Sequence, residues 1–175
     1  MSHPAQLNYI NQVRAQYPDF FKDKKILEVG SLDINGTVRI FFENCDYLGI
    51  DVGAGPGVDL VCQGQELAHP ADTYDLSISC ECFEHNPFWV ETFQNMIRMT
   101  KPGGMIIMSC ATTGRLEHGT RRTTPQDAPL IPWDYYKNLT PADFQAAFDL
   151  PGIFSQHEFQ IYEAHHDLYF YGIKK

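Results

Sequence analysis

Five short apolar runs punctuate the first 111 residues, and the first two close with an acid or a glycine. They are "KILEVG" (25–30), "DYLGIDV" (46–52), "VDLVCQ" (58–63), "YDLSISC" (74–80) and "MIIMSCA" (105–111). Continuous apolar runs of this length read as strands buried on both faces. Helical patterns lie before, between and after them. Leu7, Ile10, Val13 and Tyr17 share one face until Pro18 stops the run, and "NGTVRIFFEN" reads as a short helix with Asn35 as its cap. Asn86-Pro87 opens a third helix carrying Trp89, Phe93, Met96 and Ile97 on one side, and "TKPGG" ends it. Strand alternating with helix predicts a mostly parallel, doubly wound α/β sheet covered on both faces.

The pattern breaks after Ala111. Residues 112–139 show no sustained period and are interrupted by Pro125, Pro129 and Pro132, as in a binding loop or lid. Thr140-Pro141 with Asp143 then starts a helix facing Phe144, Ala147 and Phe148. The final stretch "HEFQIYEAHHDLYFYGIKK" holds two aromatic-rich strands around a bend at His165-His166-Asp167, an antiparallel hairpin. One domain of 175 residues is expected: a helical segment (1–23), a core (24–111), a substrate loop (112–139) and a C-terminal helix with hairpin (140–175).

Charge and composition exclude several classes. Acids outnumber bases 22 to 13, for a net −9, which disfavours a nucleic-acid partner held through its phosphates. The one basic cluster, Arg115, Arg121 and Arg122, is small, though it could grip a single anionic group. No apolar run approaches the roughly 18 residues that span a bilayer, and no secretory leader precedes the helix at residues 5–17, so a cytoplasmic chain with no membrane partner is expected. Five cysteines, an odd number, then read as reduced thiols.

The turn "EVGSLDING" decides which nucleotide to expect. A dinucleotide fingerprint needs a second glycine two residues after the first, so that backbone can approach a pyrophosphate. Leu32 stands there, and no glycine-lysine-serine/threonine triplet offers a phosphate loop elsewhere. A nicotinamide-dependent reductase is disfavoured on the same ground. Asp51, roughly 20 residues after Gly30, has the spacing of a ribose-binding acid. A nucleoside ligand without phosphate satisfies both facts.

"ILEVGSLDING", "YLGIDV", "VCQGQEL", "YDLSISCECFEH" and "KPGG", in this order over residues 24–111, resemble the class I S-adenosylmethionine-dependent methyltransferases. The resemblance implies a Rossmann-like seven-stranded sheet whose last strands are reversed, and S-adenosylmethionine as cofactor. It assigns Glu28, Gly30, Ser31 and Asn35 to the cofactor's amino-acid tail and its turn, and Asp51 and Val52 to the ribose. Gln63, Gly64 and Gln65 fall in the adenine-contacting segment, with Gln63-Gly64 where many members have Asp-Ala, and Ser79, Cys80 and Glu81 in the fourth-strand motif. The first motif departs from the family in lacking its second glycine.

His85, after the fourth strand, and His118, in the long loop, are the candidate general bases, since imidazole titrates near neutrality. Each also reads as an ordinary capping or solvated histidine. Cys80, Cys82 and His85 make a poor zinc site, because a C-x-C pair with one histidine lacks the usual spacing and a second pair. No metal is expected there. Trp133, Tyr135 and Tyr136 either line a pocket or pack beneath the loop. The expected reaction is methyl transfer to the oxygen or nitrogen of a small polar acceptor, a sugar or other small metabolite. A non-catalytic binding module of the same fold is the alternative.

Overall fold

The computed structural model describes residues 3–175. Seven strands, β1 (Lys25–Val29), β2 (Asp46–Asp51), β3 (Leu60–Val61), β4 (Tyr74–Cys80), β5 (Thr100–Ala111), β6 (Phe154–Tyr162) and β7 (Asp167–Lys174), form one sheet in the order β3-β2-β1-β4-β5-β7-β6. The first five run parallel, while β7 pairs antiparallel with both β5 and β6. This is the expected mixed sheet with a reversed terminal hairpin.

Alternation along β5 shows how the two faces are filled. Met105 and Ile107 point to one side and meet Ile26, Leu76, Ile78, Tyr169 and Tyr171 there. The helix α1 (Pro4–Gln16) covers that side with Tyr9, Ile10 and Val13, and the Tyr9 ring stacks on Tyr169 at 4.5 Å. Ile106, Met108 and Cys110 point to the other side, beneath α2 (Trp89–Met99), α3 (Pro141–Ala147) and α4 (Leu150–Ile153). Phe93 of α2 is fully buried at the centre of this face, against the rings of Phe83, Phe144, Phe148 and Phe170.

Four features differ from the sequence reading. The helix expected over 35–44 is only a 3-10 turn, Val38–Phe41, capped by the Thr37 hydroxyl rather than by Asn35, which is exposed. Backbone pairing of Glu43 with Phe21 and Asp23 draws the chain out of the helix before it can lengthen. The β3 strand shrinks to two exposed residues at the sheet edge, where a short strand leaves little open ladder. At "TKPGG" the strand begins early, at Thr100, and bulges before Met105 resumes the pairing. Asn86 is not the cap residue of α2, which starts at Trp89; its side chain instead accepts the Phe88 amide at 2.8 Å. The 112–139 segment holds no strand or helix beyond one 3-10 turn at Pro125–Asp127, as expected.

Candidate functional site

The carboxyl ends of β1, β2 and β4 open onto a cleft of about 900 Å³, its mouth included. Open α/β sheets bind ligands at this edge, where the strand order reverses. Here β1 lies between β2 and β4, so the turn after β1 is the switch point. Gly30 in that turn adopts φ +81°, and a Cβ on it would sit 2.7 Å from that of Cys82. The glycine is thus required by its own conformation and by the close approach of the segment after β4.

Asp51 at the end of β2 locks this turn. One carboxylate oxygen accepts the Leu32 amide at 3.0 Å and the other the Val52 amide at 2.7 Å. Partial burial raises its pKa, and the two amides offset part of that rise. A carboxylate has about four acceptor directions, so two backbone bonds leave capacity for ligand hydroxyls. Beside it, the Ser31 hydroxyl lines the cleft, is buried, and has no partner among the described residues. Apolar walls come from Leu32, Ile34, Ile50 and Val52.

Glu28 lies deeper, 4% exposed, with the Tyr47 hydroxyl donating to it at 2.8 Å. Burial pushes its carboxyl up to about 7, and the bond from Tyr47 restrains the rise. Glu81, immediately after β4, holds φ +51°, a conformation costly for a residue with a side chain and characteristic of functional turns. A buried chain of bonds fixes it: Gln6 of α1 donates to Ser109, and Ser109 donates to Glu81 at 2.8 Å.

Of the twelve residues assigned to the cofactor from sequence, nine line the cleft: Glu28, Gly30, Ser31, Asp51, Val52, Gly64, Gln65, Cys80 and Glu81. Three do not. Asn35 is exposed and off the cleft, while Ile34, Gly36 and Thr37 around it line it. Gln63 turns away and accepts a bond from Gln65, leaving Cys62 and Gln65 on the wall. Ser79 is buried in β4 and donates to the Val29 carbonyl across the strand pair. In each case a residue one or two positions away lines the cleft instead.

The long loop lines the cleft too, with Trp133, weighed from sequence as a pocket residue, and five further residues that sequence reasoning did not single out for a pocket. Asp127, Ala128, Pro129, Leu130, Ile131 and Trp133 form its far wall, and Leu130 packs over Gly53. The Trp133 indole N–H donates to the His85 carbonyl, tying the loop to the segment after β4. The cluster Arg115, Arg121 and Arg122 braces this loop. Arg122 pairs with Glu117 and Asp134, and Arg115 with Asp167. The Arg121 side chain donates to the Pro132 carbonyl.

His85 lines the cleft and is 3% exposed; burial, helped by His118, drives its pKa down to about 3, so it is neutral at ordinary pH. His118 does not line the cleft but meets His85 edge to face at 4.9 Å, and the Tyr136 ring touches both. Tyr135 stays outside. Glu84, fully buried, completes the group, its Oε1 4.0 Å from His85 Nε2. Burial, reinforced by the nearby Glu81, lifts its carboxyl to about 8. Cys80, Cys82 and His85 do not converge as ligands, and burial raises both thiols far above their ordinary values.

A methyltransferase-domain family model matches residues 47–108, from β2 through most of β5. The chain also superposes on the PH0226 protein of Pyrococcus horikoshii with a TM-score of 0.67, at 13% identity over 98% of this chain and 91% of that one. The chain has the class I S-adenosylmethionine-dependent methyltransferase fold. YcgJ of Bacillus subtilis gives a TM-score of 0.65 at 11% identity over 99% of each chain. The 1,6-didemethyltoxoflavin-N1-methyltransferase of Burkholderia thailandensis, solved with its acceptor and S-adenosylhomocysteine, gives 0.61 at 12% identity over 100% of this chain and 92% of that one. Among curated proteins, none matches the chain in sequence. No helix among the described residues is long and apolar enough to cross a membrane.

Proposed function

We propose that the chain transfers a methyl group from S-adenosylmethionine to an oxygen or nitrogen of a small polar acceptor, such as a sugar. The observation that carries this reading is the pairing of Asp51 and Ser31 on one cleft wall with the loop Asp127–Trp133 on the other. The cofactor fits the residues present. Asp51 has acceptor capacity left for two ribose hydroxyls, and Ser31 has a buried hydroxyl in want of a partner that a charged amino-acid tail supplies. Leu32, Ile50 and Val52 offer apolar contact to a base, with Gln65 to bond its edge.

When bound, the cofactor supplies a methyl on a positively charged sulfur that departs as a neutral thioether. The protein's task is then to orient and to exclude water. Asp51 holds the ribose, the Trp133 bond to His85 keeps the loop over the cleft, and His85 stands neutral at its inner end. Arg122 pairs with Glu117 and Asp134, Arg115 pairs with Asp167, the Arg121 side chain bonds the Pro132 carbonyl, and none of the three lines the cleft wall. This favours a compact, weakly charged acceptor.

The test is acceptor-dependent production of S-adenosylhomocysteine over a panel of monosaccharides, nucleotide sugars and small amines. Turnover with one class and none without acceptor supports the reading. Cofactor binding with no turnover across the panel would favour a non-catalytic module.

A further inference from the structure

Glu84, His85 and His118 place one ligand atom each within 4.8 Å of one another at the inner end of the cleft. We propose that these three residues bind a divalent transition metal of the zinc class. Both oxygens of the buried Glu84 carboxyl lack a hydrogen-bond partner among the described residues. The amides of Glu84 and Ala111 approach the carboxylate without reaching hydrogen-bond geometry. Buried unpartnered polar groups in a native fold call for a water or an ion.

The donor set favours the ion. Nδ1 of His118 lies 3.0 Å from the Leu116 carbonyl, which fixes the N–H on that nitrogen and leaves Nε2 as a lone pair. Orientation of a ligand histidine by a backbone carbonyl is the usual outer support of a metal site. A cation would displace the proton that burial keeps on Glu84 and take the freed carboxylate together with one imidazole lone pair from each histidine. Two imidazoles and one carboxylate are a known zinc set, with a further position open. Ligands on one zinc ion stand roughly 3.4 Å apart, so the 4.0 Å between Glu84 and His85 needs only a small closure.

The second cluster, His3, Glu81 and Asp167, is a weaker candidate. Its carboxylates already receive Ser109, Tyr169 and Arg115. Because His85 lines the cleft, the open position of the metal would face a bound acceptor and could polarise its oxygen. That use rests on the proposed function; the metal site does not.

The test titrates chelator-treated protein with Co²⁺ and then Zn²⁺, following the visible absorption of bound cobalt. One equivalent of cobalt, displaced by zinc, is expected, with binding at least about tenfold weaker in Glu84→Gln and His118→Gln and unchanged in His3→Gln. His118 is half-buried in the loop, so its variant keeps the test open if Glu84→Gln does not fold. Absence of stoichiometric uptake, or equal binding by wild type and His118→Gln, would overturn the proposal.

Discussion

Asp51 carries two duties at once: it accepts the amides that shape the turn after β1, and it faces the cleft with acceptor capacity left over. Asp51→Ala should weaken S-adenosylhomocysteine binding by about 1.5–3 kcal/mol, the worth of a charged acceptor, as read by calorimetry. Asp51→Asn, which keeps one carbonyl for the turn, should lose part of this. Unchanged affinity in both would remove Asp51 from the ribose. Glu28 gives a prediction in pH. Its carboxyl holds a proton to about 7 when folded, against 4.5 as the ordinary value. Between those values folding takes up a proton, so stability falls as pH rises through that window and stays low above it. The change should be on the order of 3 kcal/mol at most. Glu28→Gln keeps an acceptor for Tyr47 and should flatten the dependence in denaturant melts at pH 5 and 8. A slope equal to that of wild type would place the titration elsewhere.

At the scale of elements, α3 is held by its own ends. Thr140 and Asp143 cap each other's backbone, and Asp143 also takes Lys137 from the loop. Asp143→Ala should cost about 1 kcal/mol in chemical denaturation; no loss would mean that burial of Phe144 holds α3 alone. The loop 127–133 is tied by the Trp133 indole and by Leu130 over Gly53. Trp133→Ala should speed amide exchange across 127–133 while leaving β4 and β5 protected, and unchanged exchange would deny the tie. How much of this was legible varies with how locally each element is decided. The runs of β1 and β4 are buried on both faces, so their ends were readable to a residue. The Thr140 cap was readable because its chemistry sits within four residues. The stunted turn at Val38–Phe41 was not, because Glu43 pairs with a segment 20 residues earlier. That Ile34, Thr37 and Cys62 line the cleft in place of Asn35 and Gln63 depends on turn geometry that no period encodes. His85 and His118 were visible as lone histidines; that they meet, with Glu84, is a product of the loop's path.

Across the whole molecule, one aromatic seam joins the parallel half of the sheet to its reversed hairpin. Phe93 touches Phe83 after β4, Phe144 in α3 and Phe170 in β7. Phe93→Ala should cost about 3–5 kcal/mol, the range for a buried ring, in a two-state denaturant melt. A loss below about 1 kcal/mol would mean that the two halves are held independently. The sheet order sets the switch point at β1, the switch point sets the cleft, and the loop roofs it. The central claim is therefore that this cleft takes S-adenosylmethionine and its product. The most direct measurement is calorimetric titration of the wild-type chain with S-adenosylhomocysteine, and separately with NAD. The account predicts one site for S-adenosylhomocysteine, weakened in Asp51→Ala, and no heat of binding with NAD. Binding of NAD in its place, or of neither ligand, would contradict it.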